Sequence, residues 1–157
     1  MKKLLTFLVL LSLLIGVTGS MATAGEMNPL PEQISDTPDY ASVRWFNPLK
    51  SSDFAISYVE SSIKKASSAS VTISATTETN ETADDIGGMM TIQKWENNKW
   101  NDYKNISFYA FDRDTFSASK TVSVDSGFFY RLTVHHSAHQ GIESDAVRST
   151  TKSVEVN

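Results

Sequence analysis

The chain has 157 residues, 14 Lys and Arg against 18 Asp and Glu, a formal net charge of −4 and no cysteine. That length holds one domain of ordinary size plus extensions, and 40% apolar with 20% charged residues supports a packed core rather than wholesale disorder. Without a basic stripe to displace counterions, nucleic-acid binding is excluded; without cysteine, so are disulfides, thiolate metal sites and cysteine nucleophiles.

The N-terminus reads as a secretory signal peptide over residues 1–24. Lys2 and Lys3 precede an apolar run from Leu4 to Val17, and Ala22-Thr23-Ala24 offers a small-residue cleavage site. The run is shorter than the roughly 20 residues that span a bilayer, so an uncleaved anchor is the weaker reading. No cysteine follows it to carry a lipid, and no sorting motif with an apolar tail ends the chain. The expected product is secreted and free of the membrane after cleavage, with 12 basic and 18 acidic residues. A small exported chain without cysteine suits a Gram-positive exporter better than a compartment rich in disulfide catalysts.

Residues 25–52 contain all four prolines (Pro29, Pro31, Pro38, Pro48) and no sustained period. They read as an extended leader or linker, with Val43, Trp45 and Phe46 able to pack on the domain behind.

Residues 53–157 lack proline and show period-two patterning. Phe54, Ile56 and Tyr58 alternate with Ala55, Ser57 and Val59; Ala69, Val71, Ile73 and Ala75 alternate with Ser and Thr. Met89–Trp95 and Trp100–Tyr109 read as a hairpin around Glu96-Asn97-Asn98-Lys99, which sets Trp95 opposite Trp100. Carried further, that register divides the apolar residues between both faces, so a bulge is expected within Trp100–Ile106.

Phe116–Val124 follows, and then the best apolar stripe of the chain: Phe128, Tyr130, Leu132 and Val134, opposed by Phe129, Arg131, Thr133 and His135. A last strand falls within Ala146–Val156, broken near Ser149-Thr150. About seven short strands at this spacing predict an all-β domain, a single immunoglobulin-like or fibronectin-type β-sandwich.

The order Ile92-Gln93-Lys94, polar turn, Trp100, then Val122, Val124, Gly127, Tyr130, Arg131 and Leu132 resembles a family of small exported Gram-positive bacterial proteins of unknown function. The resemblance covers about residues 55–150. It implies a signal peptide, a variable Pro-containing leader and one Ser/Thr-rich β domain, and it carries no catalytic residues.

Three constellations could carry chemistry. His135, His136 and His139 are the only histidines, and three neutral imidazoles suit Zn²⁺ or Cu²⁺. On a strand, however, His135 and His136 point to opposite faces, and convergence requires Ser137-Ala138 to turn back. The competing reading is a solvated strand end. Asp84-Asp85 and Asp112-Arg113-Asp114 are oxygen-rich but lack a calcium-loop spacing and read as turn residues. Trp95, Trp100 and Tyr103, with Trp45 and Tyr109, could form an aromatic platform for sugar rings or a protein, against the plainer reading of core packing.

No G-x-S-x-G elbow, H-E-x-x-H or phosphate-cradling glycine loop is present, so an enzyme is not expected. The expected function is that of a secreted, non-enzymatic extracellular or cell-surface binding module that needs no cofactor. Its ligand, in solution or on the cell wall, and its oligomeric state are left open. The alternative is an extracellular Zn- or Cu-binding protein built on the histidines.

Overall fold

The computed structural model describes residue 31 and residues 33–47 and 54–157; the expected signal peptide and its cleavage site lie outside the described residues. The described chain is all-β. Its strands are β1 (Tyr40–Phe46), β2 (Ile56–Ser67), β3 (Ser70–Glu96), β4 (Lys99–Ser123), β5 (Phe128–Gln140), β6 (Glu143–Thr150) and β7 (Val154–Val156). All pair antiparallel in one sheet of order β1-β2-β3-β5-β6, with β4 along β3 and β7 beside the start of β5.

β3 has 27 residues and β4 has 25. A straight strand of that length would run roughly 90 Å, several times the width of a small domain, so the hairpin has to bend. It bends between Glu78 and Ala83, where the β3–β4 register slips. Before the bend β3 lies between β2 and the end of β4; beyond it, between β5 and the start of β4. The sheet thereby curls into a half-barrel that brings β2 over β5.

The all-β class is as expected, and its strands run on as one curled sheet. Ala69–Ala75 and Met89–Trp95 read as two strands because Glu78–Asp85 and Gly87-Gly88 interrupt the apolar alternation; they are two halves of one strand. The segment read as leader also contributes: β1 pairs with β2 from Tyr40↔Lys64 to Phe46↔Tyr58. Its alternation is weak because only Ala41 of the strand is buried.

Inward-facing residues follow the pleat. Val71, Ile73 and Ala75 of β3 meet Leu132 and Val134 of β5, with Met90, Ile92 and Tyr130 in the same cluster. A smaller cluster holds Phe54, Ile56, Val59, Ala83, Ile86 and Ala138. On β2 the expected stripe changes phase: a register shift between Ile56 and Tyr58 sends Val59, Ser61 and Ile63 inward. Tyr58 turns outward and packs on Phe46 at 4.8 Å.

The β3–β4 hairpin closes through Asn97 (φ 56°) and Asn98 (φ 60°), the two positive-φ positions of a type I′ turn. Trp95 stands opposite Trp100 as the spacing predicts. The expected bulge is present too: Ile92 pairs with Lys104 and Gln93 with Asp102, which leaves Tyr103 as the extra residue. Past the bulge the register is Thr91↔Asn105 and Met89↔Ser107.

At half-buried Gly88 the backbone of β3 lies close against β5. A Cβ there would stand 2.0 Å from the His135 carbonyl oxygen and 3.0 Å from the Phe108 ring, and its φ is +154°. Only glycine fits where two strands and an aromatic ring crowd one point.

Candidate functional site

β5 does not end at His135. It runs on to Gln140 before Gly141 (φ 59°) turns the chain into β6, so Ser137-Ala138 makes no reversal. The pleat therefore separates the three histidines. His136 is fully buried, whereas His135 and His139 lie on the outer face, four residues apart along one strand. That spacing is roughly 13 Å. Among the described residues, no group of three or more His, Asp or Glu side chains is placed to hold a metal ion.

His136 is held by hydroxyls from three other strands. Thr77 Oγ1 of β3 lies 2.8 Å from Nδ1; Ser61 Oγ of β2 and Ser149 Oγ of β6 each lie 3.1 Å from Nε2 and 2.6 Å from one another. The Phe108 ring meets the imidazole edge-on at 6.3 Å. Burial, aided by the nearby His135, lowers its pKa to about 4, so the ring is neutral near pH 7. One nitrogen then donates and the other accepts, which three hydroxyls can complete.

Ser61 stands at a nucleophile-to-base distance from His136, but all four side chains are buried and no carboxylate among the described residues orients the ring. The cluster is a polar tie between the two limbs of the curled sheet. Ser61, Thr77 and Ser149 were not legible as a set, although period two offered a trace: Thr77 continues Val71-Ile73-Ala75, and Ser61 falls between Val59 and Ile63.

His139 pairs through Nδ1 with Asp85 Oδ1 at 2.9 Å, both partly exposed. Asp84 accepts the Gly141 backbone N–H at 2.7 Å. Asp112 (φ 52°) sits at the outside of the hairpin bend. The acidic clusters thus lie within β3 and β4, near their bend, rather than in turns between strands.

The aromatic candidates divide as well. Trp95 and Trp100 share the outer face, with ring centroids 5.2 Å apart and tilted by 60°. The Arg131 guanidinium lies over Trp100, 4.4 Å from its ring centre. Tyr103, displaced by the bulge, leaves this platform and packs on buried Tyr130 at 5.7 Å. At that end Lys94 reaches Asp125 at 3.1 Å and Glu96 at 3.2 Å and lies 3.6 Å from the centre of the Phe128 ring. Tyr130 donates its hydroxyl to the Asp125 carbonyl at 2.9 Å, and burial foremost, with the Asp125 charge next, raises its pKa.

From the Trp pair the outer face continues into a groove of about 310 Å³ lined by Met89, Thr91, Gln93, Asp102, Thr133, His135 and Arg148. The register explains the grouping. Gln93 stands opposite Asp102 on one side and Arg131 on the other; Thr91 faces Thr133; Met89 faces His135, which faces Arg148. Gln93 is fixed at both ends: its Oε1 accepts from Arg131 Nε at 2.8 Å and its Nε2 donates to Asp102 Oδ1 at 2.7 Å. Burial first, and Arg148 second, lower the Arg131 pKa, yet a guanidinium stays charged. The side chains of His135 and Arg148 hold no hydrogen bond or ion pair among the described residues. Beyond the groove, Tyr109 and Phe111 stand exposed on β4, 5.6 Å apart.

This face was half legible: the Trp pair followed from the hairpin, but the groove joins three strands whose register the sequence leaves open. No protein-family model matches the chain, and no curated protein matches it either.

Proposed function

We propose that the chain is an exported, non-enzymatic binding module that engages an extracellular or wall-bound ligand through the outer face of its sheet. The observation that carries this reading is the half-buried Trp95–Trp100 pair on the outer face beside Arg131, continuous with a groove whose Arg148 and His135 side chains hold no hydrogen bond or ion pair among the described residues. Aromatic surface next to a few convergent polar groups is the usual make-up of a recognition site. The resemblance to small exported Gram-positive proteins and the signal-peptide reading of residues 1–24 support a location outside the cell. An immunoglobulin- or fibronectin-type affinity belongs to the same proposal. Its support is the Tyr130 hydroxyl bonded to a carbonyl five residues upstream, as in the tyrosine corner of those sandwiches.

The test uses a Trp45→Phe background, because Trp45 is itself exposed. A neutral quencher should reach the remaining indole fluorescence, and the protein should co-sediment with purified Gram-positive wall material. Trp100→Ala should abolish co-sedimentation without lowering the melting temperature by more than a few degrees. Indoles shielded from the quencher would remove this face as the binding surface.

A further inference from the structure

The groove is chemically mixed in a way that narrows its ligand, and the inference rests on the binding-module reading above. Donors are Arg148 and His135, whose side chains hold no hydrogen bond or ion pair among the described residues, whereas the buried Thr133 hydroxyl is already engaged with Thr150 at 3.1 Å and Gln93 at 3.5 Å. The acceptor is Asp102, whose Oδ1 is held by Gln93 while the residue remains exposed. The apolar part is Met89, 42% exposed, and six residues along β3 from it stands the Trp pair, roughly 20 Å away.

An anion would call for donors alone and would be repelled by Asp102. An apolar peptide face would bury Arg148 without a partner and Asp102 with only Gln93, a costly desolvation. A sugar hydroxyl both donates and accepts, so a ligand bearing several of them can satisfy Asp102 and Arg148 together while its C–H faces lie on indole. The distance from the Trp pair to the groove suits a chain of sugars rather than one ring. We infer that the outer face, from Trp95 and Trp100 to Met89 and Arg148, binds a neutral oligosaccharide chain. Asp102 and Arg148 hydrogen-bond its hydroxyls, and the Trp pair carries a ring at one end.

The experiment is affinity electrophoresis of the exported protein in gels containing neutral polysaccharides (β-1,3-glucan, β-1,4-glucan, xylan, mannan, α-glucan and soluble chitin oligomers), with polygalacturonate as an acidic comparison. At least one neutral polymer should retard the protein, in low salt and in 0.5 M salt alike, salt screening being about 3–5 Å at such strength. Asp102→Ala and Arg148→Ala should each weaken retardation by about tenfold or more, the usual cost of losing a hydrogen bond to a charged group. Both residues are exposed, so folding is retained. His139→Ala, on the same face outside the groove, should leave retardation unchanged. Retardation by polygalacturonate alone, lost in salt, overturns the inference in favour of an anion site. No retardation by any neutral polymer also overturns it; if wall co-sedimentation still depends on Trp100, the binding module survives and its ligand is of another class.

Discussion

His135 and His136 are adjacent in the chain and opposite in circumstance. One strand pleat sends His136 into the buried interior, where three hydroxyls and a Phe ring surround it, and leaves His135 on the rim of an open groove. The inner face is satisfied and closed: among the described residues, every buried side-chain N or O atom has a hydrogen-bond partner. The outer face leaves donors open. What separates them is access to water, since an imidazole or hydroxyl left unpaired costs little in solvent and several kcal/mol in the core. A buried polar group must be completed by the fold; an exposed one can wait for a ligand.

The largest break in this contrast should come where β3 presses its backbone against β5. Gly88→Ala places a methyl group against the His135 carbonyl at 2.0 Å and should destabilise the fold by about 4 kcal/mol or more, if it folds at all. Urea denaturation monitored by circular dichroism measures it, and a cost below about 1 kcal/mol would mean that the strands are farther apart than described.

Next comes the histidine pair itself. His136→Ala removes the common partner of Ser61, Thr77 and Ser149 and opens a cavity, at a cost of about 3 kcal/mol. His135→Ala should stay within about 0.5 kcal/mol of wild type. Equal costs for the two variants would refute the inward–outward assignment.

The same asymmetry has a pH signature. In the unfolded chain His136 titrates near its ordinary value of 6.5, in the folded chain at about 4. The unfolded state therefore binds the extra proton, and this contribution is fully present above about pH 6.5 and lost as pH falls toward 4, by about 3 kcal/mol in all. The difference in urea midpoint between wild type and His136→Ala should shrink over that window, whereas a constant difference would indicate a ring that protonates freely.

Smaller effects belong to the outer face. Trp95→Ala should cost about 1 kcal/mol through the lost cross-strand pair with Trp100. His139→Ala should cost less than about 0.5 kcal/mol, because its pairing with Asp85 is solvent-exposed and screened. Thermal melts of the two variants beside wild type rank them, and a His139 cost above that of Trp95 would reverse the ordering.

Much of the fold was legible in local pattern, since pleat alternation and turn chemistry act between residues a few positions apart. The loop read over Glu96-Asn97-Asn98-Lys99 set Trp95 against Trp100, although the structure pairs Glu96 with Lys99 and narrows the turn to Asn97-Asn98, and the misfit of Met90, Ile92 and Tyr103 announced a bulge that the structure places at Tyr103. The stripe Tyr130-Leu132-Val134 is the buried centre that its alternation indicates. Three features were not legible. β1 hid in a proline-containing segment because an edge strand with one buried residue leaves little apolar signal. The length of β3 and β4 was concealed by Glu78–Asp85 and Gly87-Gly88, where bending replaces alternation. The partners of His136 come from strands 13, 59 and 75 residues away in the chain, and no local pattern pairs them.

By itself the sequence determined the strand class, the place of the β3–β4 hairpin, the inward phase of β5 and the opposite facing of His135 and His136, because each depends on φ/ψ preference and side-chain alternation along a single segment. Only the tertiary structure decided that the strands form one curled sheet, that His136 ties its two limbs together, and that Gln93, Asp102, His135 and Arg148 share one groove. Those outcomes depend on register between distant strands, which is set by how the whole sheet bends to close over its core.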